Sequence, residues 1–164
     1  MTTNDDPQLQ GWSPFACPRD VAPSSRSSVN WQWKRHAPFK PEVVAEGGNK
    51  LLSPDQTEIS SEDVVSILTT SGRTDGQLFE RNSDTSAACA LVSHQAAILS
   101  TEYPELYPET IRGLIVHSSD WTPRMMERFD LLSGMHSPKV AKESLLRTVG
   151  YGVPSLEKAQ YSAN

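Results

Sequence analysis

The sequence predicts an α/β chain, and three observations carry that reading. Short segments with strand character stand at residues 28–33, 41–45, 63–70 and 77–81, separated by loops. Helical patterns then dominate from residue 86 onward. The first of these, from Ala87 to Leu99, is small and apolar on nearly every face, so it is expected to lie inside a larger body.

Taken in order, residues 1–28 are rich in Pro, Ser and Asp and read as an irregular or disordered segment, with residues 29–164 as the folded part. Residues 46–62 carry Gly47, Gly48, Pro54 and several acids and read as a surface loop. Asp63 to Thr70 is open between strand and short helix, and its β-branching favours strand. A short strand at 77–81 leads into the serine loop, and the helix that follows ends near Thr101. Pro108 suits the first turn of the next helix, with Ile111, Leu114 and Ile115 on one face. Met125 to Met135 reads as a loose connection in which Met125 and Met126 fill gaps in the core. Ser137 caps and Pro138 opens a helix to about Val149, stopped by Gly150, and a last short helix begins near Pro154.

The chain has 164 residues and a net charge of −5, a balance that argues against nucleic acid as a partner. Trp31, Trp33, Lys34 and Arg35 are the nearest approach to a basic, aromatic stripe, and they read better as a loop packed on a sheet edge. No apolar run approaches the length of a membrane span, so no membrane partner is expected. The polar start does not resemble a signal peptide, which makes a cytoplasmic location the default expectation. Cys17 and Cys89 supply neither a disulfide framework nor a metal site, and Cys89 is expected in the core. Asp5, Asp6, Asp55 and Glu58 lack the spacing of a calcium loop; no metal and no cofactor are expected.

Ser86 is the residue with the most chemistry around it. It stands at the first turn of the apolar helix, where backbone N–H groups lack partners and the helix dipole is positive. A nucleophile whose attack creates an oxyanion uses those features. The same position suits a serine that only caps the helix, and from placement alone both readings stand.

The run Asp84-Thr85-Ser86-Ala87-Ala88 and the small-residue helix after it resemble the serine motif of the subtilases, commonly Gly-Thr-Ser-x-Ala-x-Pro. The likeness continues in order along the chain. Tyr103-Pro104-Glu105-Leu106-Tyr107-Pro108 with the helix to Ser118 is similar to the family's next turn and helix, and Gly150-Tyr151-Gly152-Val153-Pro154 to its closing turn. Upstream, Ser24-Ser25-Arg26-Ser27 and Lys40-Pro41-Glu42-Val43-Val44-Ala45-Glu46-Gly47 resemble a serine-rich loop and a Lys-Pro-Asp strand. Asp84 replaces the usual glycine and Ala90 the usual proline. Aspartate tolerates left-handed backbone geometry and can cap a helix, and its charge would oppose a nearby oxyanion.

The resemblance implies a partial subtilisin-like fold, a mainly parallel sheet flanked by helices with its N-terminal strands missing. It also implies a serine endopeptidase that hydrolyses peptide or protein substrates through an acyl-enzyme on Ser86, with Asp84, Thr85 and Ala87 around the oxyanion. The family orders its residues Asp, His, oxyanion Asn, Ser, yet no Asp-x-Gly or His-Gly-Thr signature precedes Ser86. His36, His94, His117 and His136 lack the family's setting for a general base. The chain therefore reads as the C-terminal part of the domain, inert alone, with the missing N-terminal half as an expected partner. Its open sheet edge is expected to make the isolated chain poorly soluble. An inactive remnant that binds peptides or a partner, and an α/β interaction module with a capping serine, are the other readings. His117, Ser118 and Asp120 hold triad residue types, but neighbours on one helix end do not converge; they read as a helix terminus.

Overall fold

A computed structural model of the chain describes residues 6–31, 33, 36–129 and 138–163. They form two compact units, one of Met1–Ser25 with Glu46–Ala88 and one of Arg26–Ala45 with Cys89–Asn164.

The first unit is built from short strands and turns. A 3-10 turn at Pro7–Leu9 is capped by the Asp6 carboxylate, which accepts from the Gln8 N–H at 2.9 Å. Strands β1 (Ser13–Pro14), β2 (Leu51–Leu52) and β3 (Ile59–Ser60) pair antiparallel in that order, with Ser13 opposite Leu52 and Leu51 opposite Ser60. The Asn49 side chain continues the first ladder: its amide donates to the Ala16 carbonyl at 2.8 Å and its oxygen accepts from the Ala16 N–H at 3.1 Å. Strands β4 (Ile67–Thr70) and β5 (Phe79–Asn82) make a separate antiparallel hairpin. Burial alternates along both strands, as a strand's period of two requires. Leu68 and Phe79 lie on the exposed face. The buried apolar side chains of this unit are Leu9, Leu51 and Ala87.

The second unit is helical. Its elements are the greater part of α1 (Asp84–Glu102), then α2 (Pro108–His117), α3 (Pro123–Arg128), α4 (Pro138–Val149) and α5 (Leu156–Ala163). Pro108 and Pro123 open their helices at positions where a missing N–H costs nothing. Leu99 of α1, Ile111 and Ile115 of α2 and Ala159 of α5 form one core, with Val43, Val92, Ala96 and Leu106 packed against it. Ala141, Leu145 and Val149 bury the inner face of α4. Buried Ser28 ties the start of the unit to α4, donating its N–H to the carbonyls of Lys40 (2.8 Å) and Arg147 (3.0 Å). Arg147 is itself buried, paired with Glu143 at 3.0 Å, its guanidinium 5.0 Å from the centre of the Phe39 ring. Gly150 takes φ +60° after α4, the left-handed stop expected of it. Glu42 bonds the Arg112 guanidinium and sits 3.2 Å from Lys40. The Arg112 hydrogen bond first, with help from Lys40, holds the Glu42 carboxyl below the usual range.

The chain is thus mixed α/β, but the mainly parallel sheet is not found among the described residues. Every described ladder is antiparallel. Those of β2–β3 and β4–β5 close over short connections, and an antiparallel pair is what a short connection permits. Residues 28–31 and 33 form no strand, residue 32 lies outside the described residues, and residues 41–45 form no ladder. The segments 6–28 and 46–62 are more ordered than expected, since they contribute β1, β2 and β3. Ser137 lies outside the described residues.

Candidate functional site

The serine loop is shaped by a backbone contact. The Asp84 N–H donates to the Gly47 carbonyl at 2.6 Å, while Asp84 adopts φ +69°. That left-handed turn stands where the resemblance has glycine, and aspartate is among the few residues that enter it at low cost. A Cβ on Gly47 would lie 2.7 Å from the Asp84 carbonyl oxygen, so only glycine fits against this turn. Gly48 follows at φ +75°, and the Asn49 N–H reaches the Val65 carbonyl at 2.7 Å. The pair Gly47-Gly48 is the sequence signal for this contact, and a reading of the pair as loop punctuation misses it.

Helix α1 begins at Asp84, so Ser86 sits inside the first turn rather than at the cap. Its side chain is exposed, and among the described residues its Oγ makes no hydrogen bond. The capping reading of Ser86 is therefore not what this geometry shows. The Ser86 N–H belongs to the helix's first turn, whose donors have no partner within the helix. Thr85 is exposed and Ala87 is buried, anchoring the turn.

Beyond that turn, α1 is far less covered than its composition suggests. Ala87 and Leu99 are its buried residues, Leu91 is 40% exposed, and Ala90 and Ala97 are exposed. Cys89, expected in the core, is exposed one turn from Ser86. An apolar helix is buried only where something packs on it, and among the described residues one side of α1 has no such cover.

No histidine occurs in the unit that carries Ser86. His94 lies on the same helix, eight residues on, roughly 12 Å along the axis at 1.5 Å per residue. His36 is exposed in a turn closed by its N–H to the Trp33 carbonyl at 2.9 Å, and exposed His117 ends α2. His136 lies outside the described residues. Ser118 donates to the Ile115 carbonyl at 2.9 Å and accepts from the Ser155 N–H at 3.3 Å. Asp120 pairs with Lys158, so the His117, Ser118 and Asp120 run is a helix terminus and not a triad. Met125 is buried, as a gap-filler would be. Among the described residues no helix is long and apolar enough to cross a membrane.

Comparison with known proteins gives one positive result. The model of the subtilase family, the S8 peptidases, matches residues 15–152, a span that includes the Asp84–Ala87 turn, Gly47 and the Gly150 stop. No curated protein and no solved structure matches the chain. A match over so much of its length settles the affiliation: this chain belongs to the subtilase family.

Proposed function

We propose that these residues supply the serine side of a subtilase active site, with Ser86 as nucleophile and the histidine and aspartate delivered by a separate segment. The observation that carries this is the state of Ser86: exposed, in a helix's first turn, its Oγ uncommitted among the described residues, in a loop bent by Asp84 and Gly47. That no His-Gly-Thr or Asp-x-Gly signature accompanies Ser86 in this sequence supports an external general base.

In that site Ser86 Oγ attacks the carbonyl carbon of a peptide bond while its proton passes to the delivered histidine. The new oxyanion takes the Ser86 backbone N–H as one donor. Collapse of the tetrahedral intermediate expels the amine, which leaves with the histidine's proton, and water then hydrolyses the acyl ester on Ser86. The Asp84 carboxylate near this turn opposes the oxyanion, which makes the site a slower one than its glycine-bearing relatives. Without the histidine, turnover falls by on the order of 10⁶, so this chain alone is inert as a peptidase.

The test is labelling with a fluorophosphonate after adding, as a separate polypeptide, a subtilase segment bearing the Asp-x-Gly and His-Gly-Thr motifs. Wild type is expected to label at Ser86, and Ser86→Ala is not. A complex that forms but never labels would instead show a non-catalytic subtilase module that binds peptides or partners.

A further inference from the structure

We infer that a groove in the serine-bearing unit is an exosite, a place that holds an extended, arginine-bearing segment of the protein substrate apart from the bond that is cut. The groove has a volume of about 510 Å³ and an apolar floor of Leu9, Trp12 and Ile59. Leu9 is buried and Trp12 half-buried, while Ile59 is more than half exposed. The rim carries the carboxylates of Asp6, Glu58 and Glu62. Among the described residues none of these carboxylates pairs with a lysine or arginine. Asp6 accepts from the Gln8 N–H and Glu62 from the Ser60 hydroxyl, which leaves most of their acceptor sites open. Ser86 does not line this groove.

The walls decide the occupant. Carboxylates on an open surface are satisfied by water, but these rim an apolar floor, so a ligand with both a cation and apolar bulk gains from each. Arginine supplies both: its guanidinium takes a carboxylate bidentately and stacks on an indole face, while its stem covers apolar surface. The backbone of β3 then makes the occupant a peptide rather than a free cation. The Ser53 N–H donates to the Glu58 carbonyl at 3.0 Å, so Leu52 and Ile59 are a non-hydrogen-bonded pair of the β2–β3 ladder. The Ile59 N–H and C=O therefore point away from β2 and have no partner among the described residues. An extended peptide satisfies both, whereas a free organic cation has nothing to accept the N–H. Groove and Ser86 belong to one compact unit, so a substrate segment seated here is tethered to the nucleophile. That the occupant is a substrate rests on the Ser86 reading; the charge and the apolar floor do not.

The probe is a fluorophore-bearing peptide, Arg-Val-Arg-Ile-Arg, titrated into the full chain and followed by anisotropy. Glu58→Gln with Glu62→Gln keeps shape and acceptors but removes charge, and is expected to weaken binding at least about tenfold. Glu105→Gln with Glu157→Gln removes as much exposed charge from the helical unit and is expected to change binding less than about twofold. The peptide with glutamate for arginine is expected not to bind. Once the segment bearing the Asp-x-Gly and His-Gly-Thr motifs is added, a substrate extended by Arg-Val-Arg-Ile-Arg through a glycine-serine linker is expected to show a KM about tenfold below its glutamate counterpart, with kcat unchanged. Glu58→Gln with Glu62→Gln should erase that difference. No saturable binding up to millimolar peptide overturns the inference, as does binding indifferent to the change at Glu58 and Glu62. Loss of binding when the segment is added also overturns it, since the segment then covers the groove. Equal KM values overturn the assignment to substrate. A chain that binds the peptide yet never labels with fluorophosphonate fails the Ser86 reading, and with it the substrate as occupant, whereas a chain that labels but does not bind the peptide fails the exosite alone.

Discussion

The two units contrast in what holds them together. The helical unit has a continuous core from Leu99, Ile111, Ile115 and Ala159, and a second apolar layer on α4. The serine-bearing unit buries Leu9, Leu51 and Ala87, and leaves Ile59, Leu68, Leu78 and Phe79 more than half exposed. It is held by side chain–backbone bonds instead, such as Asn49 to Ala16 and the Ser53 hydroxyl that accepts from the N–H groups of Thr57 and Glu58 at 3.1 and 2.9 Å. Such bonds contribute about 1 kcal/mol each, and water competes for them at an exposed surface. Ser86, the proposed nucleophile, thus lies in the weaker part, in a loop where the Asp84 N–H meets the Gly47 carbonyl.

The strongest way to break this contrast is to remove one fully buried leucine from each side. Leu145→Ala in α4 is expected to cost about 2–5 kcal/mol, seen as a lower midpoint for loss of helical circular dichroism in urea. Leu51→Ala is expected to leave that helical transition in place while protease nicking within residues 46–82 rises. If both substitutions shift one common transition equally, the two units are a single cooperative structure and the contrast fails. A smaller effect comes from Gly47→Ala. Its new methyl meets the Asp84 carbonyl, so the serine turn must shift; the expected loss is on the order of 1–3 kcal/mol locally, with amide exchange faster at Asp84 but not at Leu145.

The smallest effect is electrostatic. Glu42 has a folded pKa below its unfolded value, so its contribution is present above the unfolded carboxylate value of about 4.3 and is lost as pH falls through the lower, folded value. Glu42→Gln should remove that acid-limb dependence and cost no more than about 1 kcal/mol at neutral pH, because Arg112 is largely exposed. Asp55 is shifted the same way by the Ser53 and Thr57 hydroxyls, so acid loosens a turn in the serine-bearing unit as well.

Helices were legible from the chain because their signals are local. Pro108, Pro138 and Gly150 mark boundaries through backbone geometry that needs no partner, and each stands where it was expected. The 77–81 strand and the strand half of 63–70 also appear, as a hairpin whose two strands are near in sequence. Residues 28–31 and 41–45 did not become strands, because a strand exists only through a neighbour, and their sequence says nothing about whether one is present. The same reasoning explains Cys89 and Leu91. Composition shows that α1 tolerates burial on all sides; cover for all sides has to come from elsewhere. At the serine turn the replacement of glycine by Asp84 was readable, and Asp84 keeps the left-handed backbone that a glycine position favours. Gly47 was visible as half of a glycine pair, but its partner was not, since the contact joins residues far apart in sequence.

The bond from Ser28 to Arg147 spans 119 positions. During synthesis the first of these residues leaves the ribosome long before its acceptor exists. This tie of the helical unit therefore cannot close until α4 has emerged, and residues 46–88 of the serine-bearing unit lie within the intervening loop while it waits. Closing so long a loop carries an entropic cost that grows slowly with length but delays the search, so this chain should fold late and spend that interval exposed to chaperones and proteases.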